Sequence, residues 1–195
     1  MELESLKRDI VFDEYLRASQ LTFRSTWGLF SPRRIDPGSR LLAELVQVEP
    51  DAQVLDLGCG YGPLGLCLAQ AAPQGFVHLV DKDFVAVEYA GKNAQANHLH
   101  NTQIYLSNGF SHVPLQPFDL IVSNLPAKVG KELLTIMLLE AHRRLKPGGG
   151  LWVVTISGLR SYIRRNFNEI FGNYTKVKQG REHTVSMAVK EPDSA

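Results

Sequence analysis

A glycine-rich stretch, DLGCGYG at residues 56–62, combines residue types and a spacing that could bind a cofactor. Three glycines stand at alternate positions after an apolar run that ends in Asp56. Glycine allows the backbone to turn sharply and to approach a ligand without a Cβ atom in the way. A helix predicted from Pro63 would direct its free N–H groups at this loop and favour an anionic ligand group there. The residues predicted to bind the cofactor in this stretch are Asp56, Gly58, Cys59, Gly60, Tyr61 and Gly62.

Two cofactors fit a loop of this kind. Residues 60–65 satisfy the dinucleotide pattern G-x-G-x-x-G, and Asp81 follows at about the distance of a ribose-binding acid. The acid at Asp56 favours the other cofactor, S-adenosylmethionine. A pyrophosphate gains nothing from a neighbouring carboxylate, because like charges repel, whereas S-adenosylmethionine carries ammonium and sulfonium cations beside its carboxylate. The sequence therefore predicts S-adenosylmethionine, with a dinucleotide as the weaker alternative.

A second stretch, DLIVSNLPAK at residues 119–128, ends an apolar run on Asn124. It resembles the strand end of enzymes that methylate the amino nitrogen of a base. Methyl transfer to such an exocyclic amino nitrogen is difficult because the nitrogen lone pair is delocalised into the ring. Two hydrogen-bond acceptors on its N–H groups would orient this nitrogen, and the candidates are the Asn124 side-chain carbonyl and a main-chain carbonyl beside Pro126. Pro126 also restricts Leu125 to an extended conformation. The predicted catalytic residues are Asn124, Leu125 and Pro126.

The composition is that of an ordinary globular protein: 195 residues, 44% of them hydrophobic and 21% charged. We expect a single domain over residues 1–195, with a substrate-side N-terminal segment at 1–50 and a catalytic core at 51–195. No apolar run approaches the roughly 20 residues that cross a bilayer, and the N-terminus lacks a signal-peptide core. Neither Cys59 and Cys67 nor the six histidines show metal-ligand spacing, so we expect a cytoplasmic protein without a metal and without membrane association.

Apolar patterns after residue 50 predict an alternation of strands and helices. Strands are predicted at Gln53–Leu57, Phe76–Asp81, Gln103–Leu106, Phe118–Ser123 and Leu151–Ile156. Helices are predicted at Pro63–Ala71, Phe84–Asn97, Lys128–Leu145 and Gly158–Ile170, and a closing hairpin at Tyr174–Lys178 and Thr184–Lys190. Such alternation is typical of a mostly parallel sheet that helices cover on both faces.

The pattern before residue 50 is less regular. Residues 1–19 predict a short amphipathic helix, and Leu21–Ser25 predicts a small strand. Ser39 has the residue type of an N-cap, so a helix is expected directly after it.

Taken together, these motifs resemble a class I S-adenosylmethionine-dependent methyltransferase over nearly the whole chain from Leu21. Residues 56–62 are similar to the first motif of that superfamily, and Asp81 is similar to its ribose-binding acid. The resemblance implies an α/β fold that is Rossmann-like and seven-stranded, with a mostly parallel sheet and a C-terminal antiparallel hairpin. It places the adenine contacts at the segment NGF, residues 108–110. The cofactor-binding residues that it adds are Asp81, Lys82, Asn108, Gly109, Phe110 and Asn124.

A narrower resemblance involves the segment WGLFSPRRIDPGSRLL, residues 27–42. It is similar to a Gly-Val-Phe-Ser … Asp-x-Gly-Thr segment of the "methyltransferase small" family, which includes ribosomal RNA guanine-N2 methyltransferases and single-domain archaeal relatives. The matching positions are Gly28, Phe30, Ser31, Asp36 and Gly38. The resemblance implies methylation of an exocyclic amino group, guanine N2, in ribosomal or other structured RNA, with RNA or a ribosomal subunit as the partner.

Position 127 departs from the pattern of enzymes that methylate the amino nitrogen of a base. Those enzymes usually carry Asn-Pro-Pro and then an aromatic residue, where this chain has Asn-Leu-Pro-Ala. The missing ring would stack on the base for about 1–3 kcal/mol. Either Phe30, Trp27 or Phe110 supplies a ring instead, or the target is not a flipped base, or the chain binds the cofactor without catalysis. The residues expected on the substrate side are Phe30, Arg33, Arg34, Ala127 and Lys128.

Charge is polarised along the chain. Up to Leu125 there are 9 Lys and Arg against 14 Asp and Glu, and beyond it there are 12 against 6. This is compatible with one basic face that meets RNA phosphates, for example through Arg33 and Arg34, or with solvated charges that intermix on the folded surface. Two other functions therefore stay open: a methyltransferase for a small molecule or a protein side chain, and a catalytically silent cofactor-binding module.

Overall fold

A computed structural model describes residues 3–17 and 19–192 of the chain. The first part of the chain forms α1 (Leu3–Leu6), β1 (Ile10–Leu16), β2 (Ser19–Ser25) and α2 (Pro37–Leu45). The middle forms β3 (Gln53–Leu57), α3 (Pro63–Ala71), β4 (Phe76–Asp81), α4 (Phe84–Ala96), β5 (Thr102–Leu106) and β6 (Phe118–Asn124). The last part forms α5 (Lys131–Arg144), β7 (Leu145–Ile156), α6 (Arg160–Phe171), β8 (Thr175–Gln179) and β9 (His183–Val189). The expected domain 1–195 therefore includes residues 1, 2, 18 and 193–195, which lie outside the described part.

The central sheet has seven strands in the order β5-β4-β3-β6-β7-β9-β8. Strands β3 to β7 are parallel to their neighbours, whereas β9 is antiparallel to both β7 and β8. Helices α2, α3 and α4 contribute to one buried apolar cluster and α5 and α6 to the other, so the sheet is covered on both faces. This confirms the predicted α/β fold with its closing antiparallel hairpin.

The order of the strands creates a crevice. The chain runs from β3 to β4 and β5 on one side of the sheet, and then crosses to β6 and β7 on the other side. Loops that leave the carboxyl ends of β3 and β6 diverge at this reversal, which is where open α/β sheets bind their ligands. Both stretches singled out in the sequence, residues 56–62 and 119–128, end at this point.

The N-terminal helix predicted over residues 1–19 is wrong. Among residues 3–17 and 19, which the structure describes, only Leu3–Leu6 is helical, and β1 pairs with β2 in a separate two-stranded antiparallel sheet. Burial alternates along β1, which is the period of a strand. Two side chains of α4 then complete the pairing of β2: Asn97 bonds both backbone groups of Thr22 at 2.8–2.9 Å, and Asn93 bonds those of Arg24 at 2.7–2.9 Å.

Several other boundaries are shifted by one to three residues from the prediction; for example, α5 begins at Lys131 rather than Lys128. Two differences have an identifiable cause. Helix α2 begins at Pro37, and its N-cap is Asp36 rather than Ser39, because the Asp36 carboxylate accepts the Ser39 N–H at 3.0 Å. Strand β7 begins at Leu145 rather than Leu151, since residues 145–150 pair with β6 across an irregular register. Within the described residues, no helix has both the length and the apolar character to cross a membrane.

Candidate active site

A cavity of about 630 Å³ lies at the carboxyl ends of β3, β4 and β6. This volume is within the range of small-molecule and cofactor sites. Of the residues expected to bind the cofactor, those that line it are Gly58, Cys59, Gly60, Tyr61, Asp81, Lys82, Asn108, Gly109 and Asn124. Of those expected in catalysis or on the substrate side, the cavity is lined by Asn124, Leu125, Pro126, Phe30, Ala127 and Lys128. The structure thus brings most of the predicted residues to one place.

The glycine loop is held against the end of β4. The N–H groups of Gly58 and Cys59 both donate to the Val80 carbonyl, at 2.8 and 2.9 Å. Gly60 has a φ of +58°, and a Cβ added there would meet no atom within 4 Å. The backbone conformation, rather than a lack of room, therefore favours glycine at this position. The open space above the loop faces the cavity that Gly60 lines.

The Asp81 carboxylate is fixed at the edge of the cavity. One oxygen accepts the N–H of Gly60 at 2.9 Å and the other accepts the N–H of Asp83 at 3.0 Å. Because a carboxylate oxygen can accept more than one hydrogen bond, both oxygens retain capacity for a ligand hydroxyl. This geometry fits the predicted ribose contact.

Asp56 does not reach the cavity, contrary to the expectation that it faces the cationic side of the cofactor. Its side chain is buried, 1% exposed, and accepts the N–H of Gly65 at 2.7 Å. Position 65 must be glycine for this approach, since a Cβ there would lie 2.6 Å from the Leu79 side chain and 2.9 Å from the Asp56 carboxylate. Asp56 therefore holds α3 against the sheet from behind the loop.

Burial raises the pKa of the Asp56 carboxyl from 3.8 to about 7. The hydrogen bond from the Gly65 N–H acts in the opposite direction and lowers this pKa, whereas the nearby Asp81 carboxylate raises it further. Between about pH 4 and 7 the folded chain keeps a proton that the unfolded chain releases, so the free energy of unfolding falls as the pH rises and levels off above 7. We expect Asp56→Asn to lack this pH dependence, which amounts to roughly 3 kcal/mol between pH 5 and pH 8. Urea unfolding at pH 5 and pH 8 measures it, and an equal pH dependence in wild type and variant would contradict it.

Five expected site residues lie away from the cavity lining: Asp56, Gly62, Arg33, Arg34 and Phe110. Phe110 is 6% exposed and packs in the apolar cluster of α5 and α6, with Arg144 5.7 Å from its ring. Arg33 stacks on Trp27 at 4.6 Å. Trp27 and Phe110 are therefore unsuited to replace the ring missing at Ala127. Of the three candidate rings, Phe30 lines the cavity and has 69% of its surface exposed.

The loop that carries Phe30, residues 26–36, is tied to the glycine loop. The Tyr61 hydroxyl lies 3.1 Å from the carbonyl oxygens of both Ser31 and Arg34, which share its single proton. Ser31 has a φ of +50°, a conformation that non-glycine residues rarely adopt. The backbone next to Phe30 is thus fixed by a side chain from the cofactor side of the cavity.

Asn124 stands at the end of β6 with its amide group anchored. Its Nδ2 donates to the Asp36 carboxylate at 3.0 Å and to the Ser39 hydroxyl at 2.9 Å. Within the described residues its Oδ1 makes no hydrogen bond, and the residue lines the cavity. The following residue, Leu125, is held in the sheet by a 3.0 Å bond from its N–H to the Val154 carbonyl. The arrangement presents one amide acceptor at a fixed position.

Several lining residues were not identified from the sequence as site residues. They include Ser39, His183 and an apolar wall formed by Val129, Leu133, Met137 and Ile156. His183 showed no functional spacing in the sequence, but the antiparallel pairing of β9 with β7 places it opposite Ile156 at the cavity. The wall arises from two elements that meet only in the fold, the start of α5 and the end of β7. No local motif marks such residues.

Comparison with known proteins gives a consistent result. The family model described as "Methyltransferase small domain" matches residues 20–187. The uncharacterised protein YbxB of Bacillus subtilis is 36% identical over 180 residues, which cover 90% of this chain and 89% of that protein. Ribosomal RNA large subunit methyltransferase G of Streptomyces avermitilis is 31% identical over 169 residues, which cover 84% of this chain and 44% of that protein.

A solved structure shares the fold closely. The T. thermophilus 16S rRNA N2 guanine methyltransferase, in complex with AdoMet and guanosine, superposes with a TM-score of 0.84 at 32% identity, covering 93% of this chain and 50% of that one. The chain thus spans about half the length of these two rRNA methyltransferases.

Proposed function

The chain belongs to the methyltransferase small family of S-adenosylmethionine-dependent enzymes, and from this premise we propose that it methylates the exocyclic N2 amino group of a guanine in ribosomal RNA. The observation that carries the proposal is the anchored amide of Asn124, a residue that lines the same cavity as Gly60 and Asp81 and whose carbonyl oxygen makes no hydrogen bond within the described residues. Relatives named as ribosomal RNA methyltransferases support the class of substrate.

The residues present fit S-adenosylmethionine. Asp81 would accept the ribose hydroxyls, the amides of the glycine loop would meet the carboxylate, and residues 107–109 would flank the adenine. The space that a Cβ would occupy at Gly60 is open for close approach of a ligand. When bound, the cofactor supplies an electrophilic methyl group on a sulfonium.

The chain's own contribution to the chemistry is positioning. Asn124 Oδ1 would accept one N–H of the guanine amino group, and a main-chain carbonyl beside Pro126 would accept the other. Both contacts direct the nitrogen lone pair out of the ring plane and towards the methyl group. No general acid is required, because the leaving group is a neutral thioether, and the proton on the methylated nitrogen is released to solvent.

In this proposal, Phe30 supplies the stacking ring that is absent at Ala127. Its exposed side chain lies at the same cavity as Ala127 and the apolar wall of α5 and β7. A base seated there would stack on an aromatic face and contact aliphatic side chains on the other side. The small side chain of Ala127 leaves room for this arrangement.

Unpaired cations around the cavity support an RNA substrate. Lys82 and Lys128 line it, and five more cations lie in loops or helix starts at the same edge of the sheet: Arg33, Arg34, Lys131, Arg160 and Arg181. In the described part of the chain none of these seven forms an ion pair, although Arg33 stacks on the Trp27 ring. Phosphates are the natural partners for such side chains.

The direct test of the function is incubation with methyl-labelled S-adenosylmethionine and unmodified ribosomal RNA, with total tRNA, protein extract and small metabolites in parallel. Label in ribosomal RNA that digests to N2-methylguanosine is the expected result. Label confined to the protein or metabolite pool would overturn the proposal in favour of another acceptor. Cofactor binding without transfer to any pool would instead indicate a catalytically silent module.

Binding of an unmodified ribosomal RNA fragment should weaken steeply with salt. We expect the double variant Arg33→Ala/Arg34→Ala to lower the slope of log K against log salt by about 2, because each phosphate contact contributes about one. Arg143→Ala is the matched control, since Arg143 is exposed but ion-paired with Glu140 at the far end of α5. Fluorescence anisotropy at salt concentrations from about 50 to about 200 mM measures this slope. Equal slopes in both variants would contradict phosphate contacts at this edge.

A further inference from the structure

Helix α2 contributes its N-cap to the candidate active site. The carboxylate of Asp36 accepts both the N–H of Ser39, at 3.0 Å, and the Nδ2 of Asn124, at 3.0 Å. The two residues of this second bond are 88 positions apart in the chain. We infer that Asp36 is a positioning residue that sets the orientation of the Asn124 amide, an inference that rests on the proposed function of Asn124.

The orientation of an amide is decided by its partners, because its oxygen and nitrogen ends have nearly the same shape. Asp36 is an acceptor only, so the Asn124 end that faces it must be the NH₂ group. Ser39 does not fix the orientation of the Asn124 amide, since a hydroxyl can donate as well as accept. A flipped Asn124 would place its carbonyl oxygen against the Asp36 carboxylate and lose that bond. Asp36 therefore directs Oδ1 towards the cavity.

Asp36 is itself held rigidly. It caps α2, and Pro37 occupies the first helical position behind it. A Cβ added at Gly38 would lie 2.8 Å from the His183 ring and 2.9 Å from the Asp36 carboxylate, so this turn packs tightly against β9. A carboxylate on a packed helix start holds its partner within a narrower range than one on a loop would.

The catalytic consequence concerns the fraction of Asn124 side chains that present an acceptor. Without Asp36 both amide orientations are accessible, and one of them offers a donor to the substrate amino group, which is repulsive. Equal population of the two orientations would by itself lower the productive fraction only about twofold. The larger loss comes from position, because an acceptor that is no longer held at the reacting nitrogen costs about 10-fold to 100-fold in rate.

Two substitutions separate the capping of α2 from the contact with Asn124. Serine is as good an N-cap as aspartate but is too short to reach Asn124, so Asp36→Ser keeps the cap and loses the contact. Asp36→Asn retains a carbonyl oxygen for both bonds. The control is Asp83→Ser, because Asp83 caps α4 in the same way through Val85 N–H and lies outside the cavity lining.

Single-turnover methyl transfer to ribosomal RNA should fall at least tenfold in Asp36→Ser, while Asp36→Asn and Asp83→Ser stay within about threefold of wild type. The thermal midpoint and the calorimetric affinity for S-adenosylmethionine should be unchanged in all three. In an Asn124→Ala background, Asp36→Ser should cause no further loss, because the two residues act as one unit. A wild-type rate in folded Asp36→Ser, or an undiminished loss in the Asn124→Ala background, would overturn the inference.

A readout that needs no activity separates this inference from the proposed function. In ¹⁵N–¹H spectra the side-chain NH₂ signals of Asn124, assigned by their absence in Asn124→Ala, should move in Asp36→Ser and stay in place in Asp83→Ser. Unmoved signals in Asp36→Ser would overturn the positioning role. If these signals move but wild type methylates no RNA, the proposed function fails and the contact stands.

Discussion

Asn124→Ala is expected to bind S-adenosylmethionine within a few-fold of wild type and to transfer methyl groups about 100-fold or more slowly. Removing one preorganised hydrogen-bonding group from an active site typically costs a factor of this size. The carbonyl of Asn124 is the side-chain acceptor of the proposed mechanism, and the bond from its Nδ2 to the Asp36 carboxylate disfavours the flipped orientation. The loss should therefore appear in the rate of the chemical step and only weakly in either binding constant.

Single-turnover rates with saturating cofactor and RNA measure this loss directly. Asn168→Ala serves as the control, because Asn168 is exposed on α6 and its side chain lies away from the cavity. Equal turnover in Asn124→Ala and wild type would remove the amino-group mechanism. A loss that tracks reduced cofactor affinity would assign Asn124 to cofactor binding alone.

Asp81→Ala is expected to weaken S-adenosylmethionine binding at least tenfold. The predicted contact to the ribose is a hydrogen bond to a charged group, worth about 1.5–3 kcal/mol. The same carboxylate also accepts the N–H groups of Gly60 and Asp83, so its removal frees the glycine loop as well as the ribose. Both effects act in the same direction.

Calorimetric titration of the cofactor tests this expectation, with the exposed Asp51→Ala as a charge-matched control. The cofactor affinity of Asp81→Asn should lie between the affinities of Asp81→Ala and Asp51→Ala, because one amide oxygen can replace only one of the two acceptors. Unchanged affinity in Asp81→Ala would show that the ribose is bound elsewhere.

Much of the cofactor side could be predicted because its signals are local. The bounds of β3, α3 and β4 match the prediction, since each is a short apolar run next to glycine or proline. The side of the cavity that faces the substrate depends on contacts between distant segments. Asp36 meets Asn124 from 88 residues away, and nothing in the spacing of either residue indicates this contact.

Two residues that were predicted at the site lie in the core instead, and both for the same physical reason. Asp56 and Phe110 occur in the right segments, but their side chains point into the core rather than into the cavity. A sequence motif gives the position of a residue along the backbone, whereas the direction of its side chain depends on the packing behind the loop. Strand β1 was missed for a related reason: it pairs with β2, whose backbone groups are in turn bonded by Asn93 and Asn97 of a distant helix.

The Tyr61 hydroxyl bonds to the Ser31 and Arg34 carbonyls, and this has a consequence for redesign of the enzyme. A loop grafted from a relative in place of residues 26–36 would keep its geometry only if two of its backbone carbonyls lay within hydrogen-bonding distance of the Tyr61 hydroxyl. Exchange of acceptor specificity by loop transplantation therefore requires that the glycine loop be transplanted with it. The two loops form one module for protein engineering, although they are separated in the chain by a helix and a strand.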